Sequence, residues 1–157
     1  MHGRPRIMAS ILKVDEMQGV TSAGDITITS EGGSATQSLQ QGVNKLWVNF
    51  DTNTTGTPAA RDSFNVASFT DNGTGDATIS MTNNMSNGNY TIQSAVATYH
   101  GQTDYRYPTF IKGDISADSW GAVATGSFGT ITHAVQNGGS AYTDPSLVMK
   151  SVLGDLA

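Results

Sequence analysis

The groups in this chain whose types could carry chemistry are three histidines, thirteen acidic residues and a cluster of aromatic rings. His2, His100 and His133 lie far apart, and none has the spacing of a metal motif or a nucleophile–base pair. His100 can meet Asp104 across a loop that also holds Tyr105 and Tyr107, but an ordinary polar loop produces such neighbours. A threefold assembly can place one histidine three times around its axis, a metal site that spacing within one chain does not reveal, and this stays open for His133. Glycoside hydrolysis needs two facing carboxylates. Here Asp25, Asp71, Asp76, Asp114, Asp118 and Asp144 each neighbour Gly, Ser, Asn or Pro, the company of acids that shape turns. The run Asp71-Asn72-Gly73-Thr74-Gly75-Asp76 resembles a calcium loop but lacks the later acidic ligand of an EF-hand, so it reads as a turn. Cysteine is absent, which removes thiolate ligands, thiol nucleophiles and disulfides. No nucleophile elbow or phosphate loop occurs. The expectation is therefore no catalytic residue, no cofactor and no metal: a chain that is not an enzyme.

Recognition is the remaining chemistry. Tyr99, His100, Tyr105, Tyr107 and Trp120 gather around one long loop and form the candidate binding surface. Tyr and Trp offer rigid apolar area with a polar tip, on which sugars stack. The same rings would equally fill a core or a subunit contact. The net charge of −5, without a Lys/Arg cluster, argues against nucleic acid and against an anionic membrane surface, both of which need concentrated positive charge. The apolar run after Arg4 and Arg6 is too short and broken for a secretory signal, and no later run is long enough to span a bilayer, so the chain reads as soluble.

The elements that must position these groups are mostly strands. Phe64–Thr70 and Ala77–Thr82, joined by a turn at Asp71–Asp76, read as a β-hairpin, with Ala77, Ile79 and Met81 on one face. Leu46, Val48 and Phe50 alternate with Trp47 and Asn49 as another strand. Strands are also predicted at Ser10–Asp15, at Ile26–Thr29, after Tyr90 with Ile92 and Val96 on one face, and at Thr109–Lys112, Gly121–Thr125, Gly129–Val135 and Ser146–Leu153. Ser34–Leu46 is the one predicted helix. Ser34 and Gln37 have capping-box spacing, and Leu39, Val43 and Leu46 fall at i, i+4 and i+7. Gly42 costs such a helix about 1 kcal/mol, so packing must hold it, either as a cap on the domain or in a three-chain bundle.

Leu, Ile, Val and Phe make up just under a fifth of the 157 residues, while Ser, Thr, Asn and Gln supply about a third. Low net charge and clear alternation favour an ordered all-β protein with a thin core over disorder. A thin core invites neighbours.

The stretch RDSFNVASFTDNGTGDATISMT (Arg61–Thr82) resembles a segment of virion structural proteins of marine tailed bacteriophages, of the tail-fibre and fibre-head kind. The opening MASILKVDEMQGVTSAGDITITSEGG (Met8–Gly33) and the ending DPSLVMKSVLGDLA (Asp144–Ala157) are similar to the corresponding parts of such proteins, while Gly101–Trp120 matches least. The resemblance implies a place in a virus particle assembled in the host cytoplasm. It leads to an all-β, β-sandwich-like (jelly-roll-like) head over residues 61–157, a strand-and-helix attachment segment over 10–60 and a flexible arm over 1–9. The expected assembly is a homotrimer touching other virion proteins, with Leu39, Val43 and Leu46 as candidate oligomer or attachment contacts. A short tail fibre, a capsid-decorating protein and a host-glycan receptor module all remain open.

Overall fold

The computed structural model describes residues 12–20, 26–30, 32–97, 109–111, 123–136 and 139–157. The chain divides into two compact units, Met1–Gln40 and Gln41–Ala157.

In the first unit, residues 12–20 carry no regular structure, and β1 (Thr27–Thr29) pairs antiparallel with β2 (Thr36–Ser38) in the register Ile28↔Gln37. Their connection closes through Ser30 N–H donating to the Ala35 carbonyl (2.7 Å) and Gly33 N–H to the Ser30 carbonyl (2.8 Å), with Gly33 at φ 76°. This hairpin corrects the helix expected over Ser34–Leu46. The helical part is a single turn, α1 (Leu39–Gly42), and Leu46 already belongs to a strand. The cause is physical: so short a helix with Gly42 inside it and no acidic residue in its first turn has little to hold it, whereas pairing with β1 gives Thr36–Ser38 a ready ladder.

The second unit is an all-β, sandwich-like fold. One sheet has the order β4-β3-β12-β7, built from β3 (Leu46–Asp51), β4 (Ala59–Phe64), β7 (Thr91–Ala97) and β12 (Leu147–Leu153). The other runs β11-β10-β6-β5, from β5 (Val66–Gly73), β6 (Asp76–Met81), β10 (Ser127–Gln136) and β11 (Gly139–Tyr142). Two short strands, β8 (Thr109–Ile111) and β9 (Val123–Ala124), also pair with β10. All the pairings are antiparallel. β3 pairs with β12 and β4 with β3, so residues 46–64 share a sheet with the last strand, and the second compact unit starts at Gln41.

The two sheets share one core. Leu46, Val48 and Phe50 of β3 and Val148 and Val152 of β12 meet Ile79 and Met81 of β6 and Phe128 of β10, with Met85 filling one end. Phe50 and Phe69 stack across the sheets with centroids 5.1 Å apart. These inward sets are the period-two residues of each strand, so burial follows alternation directly.

The expected continuous strand Phe64–Thr70 is instead two strands in different sheets, and Asn65 is the corner between them. Asn65 sits at φ 61°, a left-handed conformation that Asn tolerates better than most residues. Its side chain fixes the bend: Nδ2 donates to the Lys45 carbonyl (2.9 Å) and the Asn83 carbonyl (3.0 Å), while Oδ1 accepts from Asn83 N–H (2.7 Å). Phe64 thereby ends exposed on one sheet and Val66 half-buried on the other. Asn65→Gly keeps the backbone conformation and loses the three side-chain bonds; Asn65→Ala loses both. Urea denaturation is expected to show a cost of about 2 kcal/mol for the glycine variant and about 1 kcal/mol more for alanine. Equal stability of the two variants would remove the backbone part of this explanation.

Candidate functional site

The predicted aromatic surface, Tyr99, His100, Tyr105, Tyr107 and Trp120, lies outside the described residues. Of the predicted oligomer contacts, Leu39 is half-buried in α1, Val43 is exposed and Leu46 is fully buried between the sheets of its own unit. Leu46 therefore faces a core and not a partner, which corrects its assignment as a contact. With no helix running from Leu39 to Leu46, the three do not form one stripe. His133 packs against Tyr142 with tilted rings whose centroids are 4.5 Å apart, on neighbouring strands β10 and β11.

The Asp71–Asp76 stretch closes the β5–β6 hairpin, with Thr74 and Gly75 as the turn between the strands. Asp71 Oδ1 accepts Gly73 N–H at 2.9 Å, and Asn72 Nδ2 donates to Asp76 Oδ1 (3.1 Å) and Thr78 Oγ1 (2.9 Å), so these oxygens point into local hydrogen bonds. Gly73 and Gly75 supply the positive φ values, 125° and 70°. Asp71 and Asn72, expected in the turn itself, end β5 instead. Among the described residues no group of three or more His, Cys, Asp or Glu side chains is placed to hold a metal ion.

The surface most suited to recognition among the described residues is the outer face of the four-stranded sheet. Alternation turns Trp47 and Asn49 of β3 outward, and the register sets them in rows across the sheet. One row runs Phe64, Trp47, Ser151, Gln93; the next runs Asp62, Asn49, Met149, Ala95. Phe64 is 51% exposed and Trp47 38% exposed, directly across from one another. Around them the polar groups are mostly amides and hydroxyls: Ser151 Oγ donates to Asn44 Oδ1 at 3.2 Å, and Gln93 is exposed. Asn49 Oδ1 is shielded from solvent and accepts no hydrogen bond, a cost of about 1–3 kcal/mol by stability alone. A shallow depression lined by Gln93, Ser94, Ala95, Met149, Lys150 and Ser151 continues the same face.

Lys150 lies beneath that face. It occupies an inward position of β12 between Val148 and Val152, is 2% exposed, and donates from Nζ to Ser94 Oγ at 2.7 Å. Burial pushes its pKa down to about 7. Lys45, also buried, is lowered by the same desolvation, opposed by the nearby charge of Asp155. Tyr90 shares its hydroxyl proton between the carbonyls of Ala124 (2.9 Å) and Ser127 (3.1 Å), and burial pushes its pKa up to about 12. A buried amine near neutrality is a recognised arrangement for covalent chemistry, but burial among valines on a strand interior gives Lys150 first of all an effect on stability.

Compared with known proteins, the chain matches no family model, no curated sequence and no solved structure.

Proposed function

We propose that this chain is a non-enzymatic structural protein of a bacteriophage virion, a short tail fibre or surface projection that works as a homo-oligomer, with a trimer favoured. The observation that carries the self-association is the first unit. Leu12, Val14, Met17, Val20 and Ile28 are all at least half exposed there, Val20 completely so, and the strands among its described residues are a pair of three residues each. A two-stranded hairpin of that length is marginal in water, and five exposed apolar side chains in one short segment call for a covering surface. The resemblance of Arg61–Thr82 and of both ends to phage virion proteins supplies the setting. Locating the protein in purified particles by imaging, with its copy number from quantitative mass spectrometry, tests this reading. A few copies at the tail are expected. Copies in large multiples on the head would replace it with a capsid-decorating role, and absence from the particle would end it.

The Trp47–Phe64 face favours a second reading, in which the same protein recognises a neutral glycan of the host surface. Flat half-exposed rings beside amides and hydroxyls suit the apolar face and hydroxyl edge of a sugar. Trp47→Ala is expected to lower binding to host-derived neutral polysaccharide at least tenfold in a glycan-array or calorimetric titration, with the melting temperature nearly unchanged. Unchanged binding would discard this role for the face.

A further inference from the structure

Two incomplete features of this chain complement one another. The segment 12–15, Leu-Lys-Val-Asp, alternates apolar and charged residues as a half-buried strand does, yet it pairs with no strand among the described residues and every one of its residues is exposed. The edge strand β5, for its part, has an outer side that no described strand pairs with.

The register shows which groups that edge presents. Met81 N–H donates to the Gly126 carbonyl, so Met81 and its alternates Ile79 and Ala77 send their backbone groups toward β10, and Thr78 and Ser80 send theirs toward β5. Their partners Thr70 and Ser68 answer them, which directs the N–H and C=O groups of Phe69 and Asp71 outward. The stretch Ser68–Thr70 lies between register irregularities at Val66/Ser68 and Asp71/Gly73 but is itself regular and carries no charge and no proline to deter pairing, whereas the other edge strand, β4, carries Arg61 and Asp62 within its length. The inward side chains of β5, Val66 and Phe69, pack on the core yet stay only half-buried, so the sandwich is open along this margin. A further strand bearing apolar residues on its inner side would close it.

We propose that residues 12–15 of one copy add as a strand to the β5 edge of a second copy of this chain. Leu12 and Val14 then turn toward Val66 and Phe69, while Lys13 and Asp15 stand on the outer face beside Ser68 and Thr70. The occupant is a second copy because this chain itself carries the unpaired segment and the unpaired edge together, and a head-to-tail exchange of this kind closes into a trimeric ring when its rotation is threefold. This inference rests on the oligomeric reading above and names its contact.

The absence of native cysteine makes a clean test. Chains carrying Lys13→Cys or Asp15→Cys are mixed in denaturant with chains carrying Ser68→Cys or Thr70→Cys, refolded together and mildly oxidised. At least one of the four pairings is expected to give a two-chain band on a non-reducing gel, several-fold stronger than Lys13→Cys mixed with Asp62→Cys on β4. Because Lys13, Asp15, Asp62, Ser68 and Thr70 are all exposed, folding is checked simply by an unchanged melting curve. A full-length Leu12→Asp/Val14→Asp variant should dissociate at a concentration at least tenfold above that of the parent. If no pairing exceeds the β4 control, or the aspartate variant keeps the parent's association, strand addition by a second copy is wrong although the oligomer stands. If the parent chain is itself monomeric at micromolar concentration, both readings fail.

Discussion

Gly75→Ala is expected to destabilise the sandwich by about 3–5 kcal/mol, the largest effect of any single substitution considered for this chain. Gly75 sits at φ 70° and is buried where the β5–β6 turn meets β10 and the segment after β11. A Cβ there would lie 2.6 Å from the Thr132 carbonyl oxygen and 2.8 Å from both N and O of Thr143. These are backbone atoms held in place by their own bonds: Thr132 N–H donates to the Gly75 carbonyl (2.8 Å) and Thr143 N–H to the Thr132 carbonyl (3.1 Å). Gly75 N–H also donates to Asp144 Oδ1 at 2.6 Å, so the turn has no room to shift without losing a hydrogen bond to a carboxylate. The control is Gly73→Ala, at φ 125° with open space around its missing side chain, which should cost only its backbone strain, about 1–2 kcal/mol. Gly75→Asn separates the two causes. Asn tolerates positive φ but brings the same Cβ, so it should fail nearly as badly as alanine. Urea midpoints at pH 7 measure all three, and a Gly75→Ala protein as stable as Gly73→Ala would show that the packing at this junction is wrongly described.

Stability should also rise steeply with pH between about 7 and 10.5, and Lys150 is the reason. An unfolded chain protonates this lysine throughout that range, while burial holds its folded-state pKa near 7. The unfolded state therefore binds more protons, and stability increases with pH by up to about 1.4 kcal/mol per pH unit, on the order of 4 kcal/mol over the whole window. Lys45, lowered in the same direction, adds to the slope. Tyr90 acts oppositely: with its folded pKa raised to about 12, it contributes stability that is fully present below pH 10 and is lost as pH climbs through 12. The stability maximum is thus expected near pH 10. Lys150→Met removes the buried amine, should raise stability at pH 7 by about 2 kcal/mol, and should flatten most of the slope. Denaturation series of both proteins from pH 7 to 10 decide this. Parallel pH profiles would mean that Lys150 is not the group responsible.

Both residues mark where sequence pattern informs and where it stops. The inward sets Leu46/Val48/Phe50 and Ala77/Ile79/Met81 are legible because alternation and burial coincide on them. Lys150 breaks that rule: it occupies the apolar position between Val148 and Val152, and a lysine in step with two buried valines was the available signal of an unusual amine. Asn65 hides likewise, an Asn in an apolar run whose tolerance of positive φ marks a corner. The helical spacing of Leu39, Val43 and Leu46 misled because that period spans a strand end, one helical turn and a new strand. β11 left no trace in composition, since Gly-Ser-Ala-Tyr has no β-branched residue, and its position follows from the hairpin with β10. The Trp47–Phe64 face could not be seen as a surface until register joined two strands that the sequence separates by a long loop.

The exposed apolar residues of the first unit require a covering surface from another copy of the chain. Sedimentation equilibrium of the purified full-length chain at micromolar concentration reads this directly. The predicted result is a species of about three times the chain mass of 16.4 kDa. A folded species of single-chain mass across that range would contradict it.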